Sequence, residues 1–221
     1  MLWILKGRAI MYKIIEETYA WRPGASFKPQ TPDTIVIHHA LCPNCTAQDV
    51  HRWHLADGHK GILYHLFLPK KGASAYRGRQ EYHKGGHLMG SENNNTIGIC
   101  LEGCYTDYTA NGKVLTEKEV PEEQLNLLVW ACQDLMSRWP ITKIKGHFEY
   151  PSAKKEGKDC PGKYFPWDKF WQMLRRAENK RIIQAQVGFS NPTGVWEAIE
   201  THPYPDALLM QWAQSYNRTP G

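Results

Sequence analysis

The sequence predicts an α/β fold with a short helical C-terminal tail. Three features carry that expectation: short β-branched apolar runs bounded by turn residues, segments with apolar residues at three-and-four spacing between them, and a proline-broken final stretch. At 221 residues, with 42% hydrophobic residues and nine Trp, the chain can bury a sizeable core. The expected division is a main domain over residues 1–176 and a helical tail over 177–221.

"TIVIHHA" (Thr34 to Ala40) lies between Pro32-Asp33 and a Cys-Pro-Asn loop and reads as a buried strand. In "TAQDVHRWHLADG", Thr46 with Asp49 three residues on resembles a capping box, and Gly58 follows the end, so a short helix is expected. Val50, Trp53 and His54 are read as one face of it. "ILYHLFL" (Ile62 to Leu68) and "TIGICLEG" (Thr96 to Gly103) are further strands. The clearest helix runs from about Pro121 to Arg138, with Leu125, Leu128, Val129, Cys132, Leu135, Met136 and Trp139 in register, and Trp139-Pro140 stops it. "ITKIKGH" reads as a strand that delivers His147 at its end. "FPWDKFWQMLRR" supplies a last core helix with Trp167, Phe170, Trp171 and Leu174 on one side. In the tail, a helix from about Asp206 carries an apolar stripe of Leu208, Leu209, Trp212, Ala213 and Tyr216, which suits packing on the main domain or a homodimer contact.

Composition narrows the function classes. A net charge of +5, from 27 basic and 22 acidic residues, is a mild bias toward polyanions. No basic run interleaved with aromatics appears, so nucleic acid is not the expected partner. The opening "MLWILKGRAIMYKII" is interrupted by Lys6 and Arg8 and lacks a signal-peptide pattern, and no run is apolar enough for a membrane span. Cytoplasmic synthesis without a signal peptide, and reduced thiols, are the expectation. "CPNC" (Cys42, Cys45) and "CLEGC" (Cys100, Cys104) can be read as a four-thiolate zinc site. The looser second spacing and the strand character of "TIGICLEG" place packing or a loop disulfide ahead of it.

The stretch "GHFEYPSAKKEGKDCPG" holds His147 and Cys160 in a basic, glycine-punctuated loop. A catalytic zinc takes three protein donors and leaves a fourth position open. The third donor is offered by His38 or His39 at the end of "IVIHH"; strand alternation sends the two rings to opposite faces, so only one binds.

The ordered motifs "IVIHHA", "GILYHLFL", "GGHLMGSENNNTIGICLEG" and "GHFEYPSAKKEGKDCPG" resemble the N-acetylmuramoyl-L-alanine amidases of the type 2 amidase and peptidoglycan recognition protein superfamily, with the phage lysozyme-type zinc amidases nearest. The similarity spans about residues 33 to 165. It implies a central mixed β-sheet flanked by helices, a Zn2+ cofactor, and zinc donors at His38, His147 and Cys160. It also implies an active-site tyrosine at Tyr64 and an active-site lysine at Lys158, with His87 and Arg77 as substrate contacts and Asn95 either a further contact or a residue that pins the loop before "TIG". The implied substrate is peptidoglycan, cut between N-acetylmuramic acid and L-alanine, and the implied setting is a bacteriolytic phage or prophage endolysin acting on the cell wall after release. Lys158 would stabilise the developing oxyanion, and Tyr64 would orient water or carry a proton. Three departures stand out: "GHFE" where many relatives have "GHRD" or "GHHD", the polar insertion "YPSAKKEGK", and one extra residue in "SENNNTIG". The alternative function is a non-catalytic peptidoglycan-binding module; relatives of that kind typically lose the cysteine, which is present here as Cys160.

Overall fold

The computed structural model describes residues 2–5, 8–187 and 205–217. The chain divides into two compact units, Met1–Pro166 and Trp167–Gly221.

In the first unit, β1 (Leu2–Leu5) and β2 (Arg8–Met11) form an antiparallel pair of their own. The main sheet has six strands: β3 (Lys13–Glu16), β4 (Thr34–His39), β5 (Leu66–Leu68), β6 (Ser74–Arg77), β7 (Thr96–Leu101) and β10 (Lys143–Gly146). Their spatial order is β10-β4-β7-β5-β6-β3, mixed because β5 and β6 run antiparallel while the other neighbours run parallel. Two short strands, β8 (Thr109–Ala110) and β9 (Lys113–Val114), make a separate hairpin. Every residue of β4 and β7 is buried, as expected for central parallel strands covered on both faces.

Helix α1 (Ala47–Ala56) starts as the sequence predicts: Thr46 accepts from the Asp49 amide, and Asp49 accepts from the Thr46 amide. Its buried side is Ala47, Val50 and His51, whereas Trp53 is exposed, so the stripe runs one position away from the expected Trp53 face. Ala47 and Val50 pack with Ile62, Phe67, Cys100, Cys45 and Tyr19 in one apolar cluster. The predicted strand at Ile62 pairs as a strand only over Leu66–Leu68. The physical reason is local: the Ile62 amide donates to His51 Nδ1 at 3.1 Å and the Leu63 amide to His54 Nδ1 at 3.2 Å, so α1 takes the donors that a strand would need.

Helix α2 (Glu122–Arg138) is buried around most of its circumference, including Gln124, Asn126 and Gln133. Gln124 is fully paired there, donating to Leu68 and Glu102 carbonyls at 2.9 Å and accepting from the Tyr105 hydroxyl at 2.6 Å. The insertion after His147 folds as the short helix α3 (Pro151–Lys155), with proline in its first turn. Among the described residues no helix is long and apolar enough to cross a membrane.

The second unit contains α4 (Trp167–Val187) and α5 (Pro205–Asn217). Helix α4 runs unbroken through the expected 176/177 boundary. Trp167, Phe170 and Trp171 form an aromatic ladder, and Gln172 Nε2 donates to Asp206 at 2.9 Å between the two helices. Of the predicted α5 stripe, Leu209 is buried and Leu208 half-buried; the side chains of Trp212, Ala213 and Tyr216 lie outside the described residues.

Replacing Thr46 by Ala removes the cap of α1 and is expected to lower the unfolding free energy by about 1 kcal/mol in urea titration, with an unchanged m-value.

Candidate metal centre

Strands β10, β4 and β7 are parallel neighbours, so their C-terminal ends share one edge of the sheet. Gly146 pairs with Ile37, which sets His147 beside His38 at the next step along that edge. His38 is also in register with Cys100, and Cys100 with Phe67, on the face that α1 covers. His39 takes the other face, where its Nδ1 accepts from the Tyr105 amide at 3.0 Å. Alternation thereby selects His38 over His39.

A 3-10 turn at His147–Glu149 follows β10, and the Glu149 carboxylate caps it by accepting from the Gly146 amide at 2.7 Å. The glutamate of "GHFE" therefore holds the backbone that carries His147. Cys160 returns to the same edge because the Phe148 amide donates to its carbonyl at 2.9 Å and the His39 amide points at its sulfur at 3.4 Å. Close packing fixes the turn beyond it: at Gly162, with φ 105°, a Cβ would stand 2.1 Å from the Tyr105 carbonyl oxygen.

The donor atoms of His38, His147 and Cys160 all lie within 4.8 Å of one another, and His38 Nδ1 is 3.7 Å from Cys160 Sγ. Tetrahedral zinc with the usual N and S bond lengths sets its N and S donors about 3.6 Å apart. Two imidazoles and one thiol at this spacing fit a zinc ion with a fourth position to spare. Burial foremost, then His87 and His147, holds His38 well below the ordinary imidazole range, and burial and then Lys158 lower His147. Both rings thus keep a lone pair free at neutral pH. Burial pushes the Cys160 thiol up to about 12; a bound cation opposes that by favouring the thiolate. Among the described residues this is the one cluster suited to a metal. Cys42, Cys45, Cys100 and Cys104 are free thiols that do not gather into a metal-suited group among the described residues, and Cys45 and Cys100 lie in the apolar core.

Tyr64 is half-buried with its ring 5.1 Å from that of His38. Lys158 is half-exposed, and its Nζ is 2.6 Å from Glu156; its charge nevertheless reaches His147. The three residues read as substrate contacts lie as follows. Arg77 is tied to Glu16 and Glu81 at 2.5 Å, at the far side of the sheet. Asn95 sits at φ 57°, and its carbonyl accepts from the Asp33 and Thr34 amides at 2.9 and 3.2 Å, pinning the starts of β4 and β7. His87 is 6% exposed with both ring nitrogens paired inside the protein.

Two features were not legible in the sequence. Glu92 accepts from the Ser152 amide at 3.1 Å and from its hydroxyl, fastening the 3-10 turn at Gly90–Asn93 to α3. A cavity of about 400 Å³ is lined by Phe27, Lys28, Lys60, Leu63, Arg79 and Lys84, with the Arg79 guanidinium 4.5 Å over the Phe27 ring. Only Leu63, the residue before Tyr64, hints at its place in the sequence.

A mixed α/β sheet whose strand ends gather two histidines and a cysteine into one cluster that could hold a metal is the frame of an amidase-type hydrolase. The chain belongs to the N-acetylmuramoyl-L-alanine amidase family, which it matches over residues 28–163. Among solved structures it is similar to the endolysin N-acetylmuramoyl-L-alanine amidase LysCS from Clostridium intestinale URNW, at 30% identity and a TM-score of 0.62, covering 74% of this chain and 96% of that one. The N-acetylmuramoyl-L-alanine amidase LysC from the same organism gives 30% identity and a TM-score of 0.60, with 74% and 98% covered. Drosophila peptidoglycan recognition protein SD shares the fold at 17% identity and a TM-score of 0.54, with 70% and 90% covered. A comparison with curated proteins finds no match.

Cys160→Ser and His147→Ala are each expected to lose the metal, falling from about one equivalent to below a tenth of one by elemental analysis after gel filtration. Near-native far-UV circular dichroism would accompany the loss.

Proposed function

We propose that this chain is a zinc-dependent amidase that hydrolyses the amide between the lactyl group of N-acetylmuramic acid and L-alanine of the stem peptide, working as a phage or prophage endolysin. The observation that carries the reading is the convergence of the His38, His147 and Cys160 donor atoms within 4.8 Å, in a chain of this family. The 30% identity to a clostridial endolysin amidase across 96% of that protein supports the lytic setting.

His38, His147 and Cys160 would hold the zinc, which supplies an activated water and a Lewis acid for the scissile carbonyl. The chain's own residues do the rest. Tyr64, with its ring against His38, positions its hydroxyl to orient the nucleophile or pass a proton to the leaving amine. Lys158 supplies positive charge against the oxyanion; leaving Glu156 for the substrate is the local change this requires. The cysteine donor offsets one of zinc's two positive charges, which makes that added cation useful. Lys28, Lys60 and Lys84 around the cavity suit the carboxylates of a stem peptide, with Arg79 buried behind them on the Ile62 and Lys84 carbonyls.

Digestion of purified peptidoglycan is expected to release free L-alanine amino termini with no new reducing sugar ends, and a chelator should abolish the release. New reducing ends alone would identify a glycosidase and defeat the proposal. Lys158→Ala is expected to keep its zinc and its melting temperature while turnover falls roughly 10- to 100-fold; unchanged turnover would remove Lys158 from the mechanism.

A further inference from the structure

We propose that His87 is a positioning residue that, together with Thr96 and the Asn93 carbonyl, fixes which nitrogen of His38 carries the proton and so presents the other, bare nitrogen to the metal. This rests on the reading of His38 as a metal donor. It gives His87 a role other than substrate contact.

The assignment follows from counting hydrogens along one buried chain of contacts. The Thr96 hydroxyl donates to the Asn93 carbonyl at 3.0 Å, which uses its single hydrogen. Only lone pairs of Thr96 Oγ1 then face His87 Nε2, 3.2 Å away, so His87 Nε2 is the donor in that contact. A ring that is 6% exposed and set between two neutral partners is itself neutral, because burying an uncompensated charge is costly. A neutral imidazole has one N–H, so His87 Nδ1 is bare. It lies 3.0 Å from His38 Nε2, which must therefore donate. His38 then has no proton left for Nδ1, and Nδ1 is the atom 3.7 Å from Cys160 Sγ on the metal side. The order of protons that begins at a main-chain carbonyl thus ends in a lone pair aimed at the site.

The relay is also held rigid. A Cβ at Gly98 would meet His87 Cδ2 and Cγ at 2.5 Å, and one at Gly85 would meet His87 Cδ2 at 2.5 Å. Main chain therefore packs against the ring from two directions, and a flip that exchanged Nδ1 with Cδ2 and Nε2 with Cε1 would lose both of its hydrogen bonds. Gly98 is itself anchored, since its amide donates to His65 Nδ1 at 2.9 Å while His65 Nε2 meets the His83 carbonyl at 2.8 Å. Partners of this kind typically change metal affinity by about 10- to 100-fold when removed.

The test uses the full chain in metal-free and zinc-loaded forms. Two-bond 1H–15N spectra of the metal-free protein should show His38 protonated at Nε2 and bare at Nδ1. A His38 protonated at Nδ1, or exchanging between the two forms, would overturn the proposal. Thr96→Val should release His38 into a mixture of tautomers and weaken zinc binding roughly 10-fold in competition with a chromophoric chelator, and Thr96→Ser should restore both. His87→Ala should weaken zinc binding roughly 10- to 100-fold; should that variant fail to fold, the Thr96 pair decides the matter alone. A Thr96→Val protein with one His38 tautomer and unaltered zinc affinity would refute the relay. If the wild-type chain binds no zinc, the metal assignment fails, whereas the metal-free spectra still decide the tautomer of His38.

Discussion

Parallel pairing of β10 with β4 and of β4 with β7 is the constraint on which the site depends. Because neighbouring parallel strands end on the same side, residues far apart in sequence are delivered to one edge. The Gly146–Ile37 register puts His147 next to His38, and the His38–Cys100 register aims His38 at the face covered by α1. A slip of one residue in β4 would exchange His38 for His39 and turn the donor into the core on the other face. Cys160 needs no strand of its own. Its place is set by the Phe148 and His39 amides, which belong to the loop and strand that carry the two imidazoles.

The second constraint is that polar groups buried around this edge must find partners. His39, His51, His54 and His65 each accept a main-chain N–H, from Tyr105, Ile62, Leu63 and Gly98. These histidines act as fasteners, with His51 and His54 joining α1 to a segment that no ladder connects to it, and His38 stands apart as the one whose Nδ1 faces Cys160. Farther along the sheet Glu81, only 3% exposed, is shared by Arg77 and Arg138; it is an ion-paired joint between β6 and α2. Desolvation favours the protonated Glu81, but the two arginines outweigh it and hold the carboxyl below its usual range.

Much of the architecture was legible because it rests on local chemistry. Thr46 and Asp49 announce the start of α1, the apolar spacing from Leu125 to Leu135 announces α2, and the β-branched runs at Thr34 and Thr96 announce the two central strands. The failures come from tertiary competition. Ile62 and Leu63 have strand composition, but His51 and His54 claim their amides; Trp53 lies where a helical face was expected, yet α1 buries His51 instead. His87, Arg77 and Asn95 share the segments that flank the site, and what the sequence could not show is where each is held. The His87 ring lies against His38, Arg77 on two glutamates, and the Asn95 carbonyl at the starts of two strands, which is the loop-pinning place its position before "TIG" also suggested.

The sequence by itself determined the donor types, the order of the motifs that carry them and the strand alternation that lets only one of His38 and His39 serve. Those properties are covalent or strictly local, so they survive without knowledge of neighbours. Only the tertiary structure decided that Nδ1 rather than Nε2 of His38 faces Cys160, that Lys158 is paired with Glu156, and that His87 belongs behind the donor. Each of these depends on contacts between residues tens of positions apart, where the direction of a hydrogen bond is set by the folded backbone and not by the residues' own preferences.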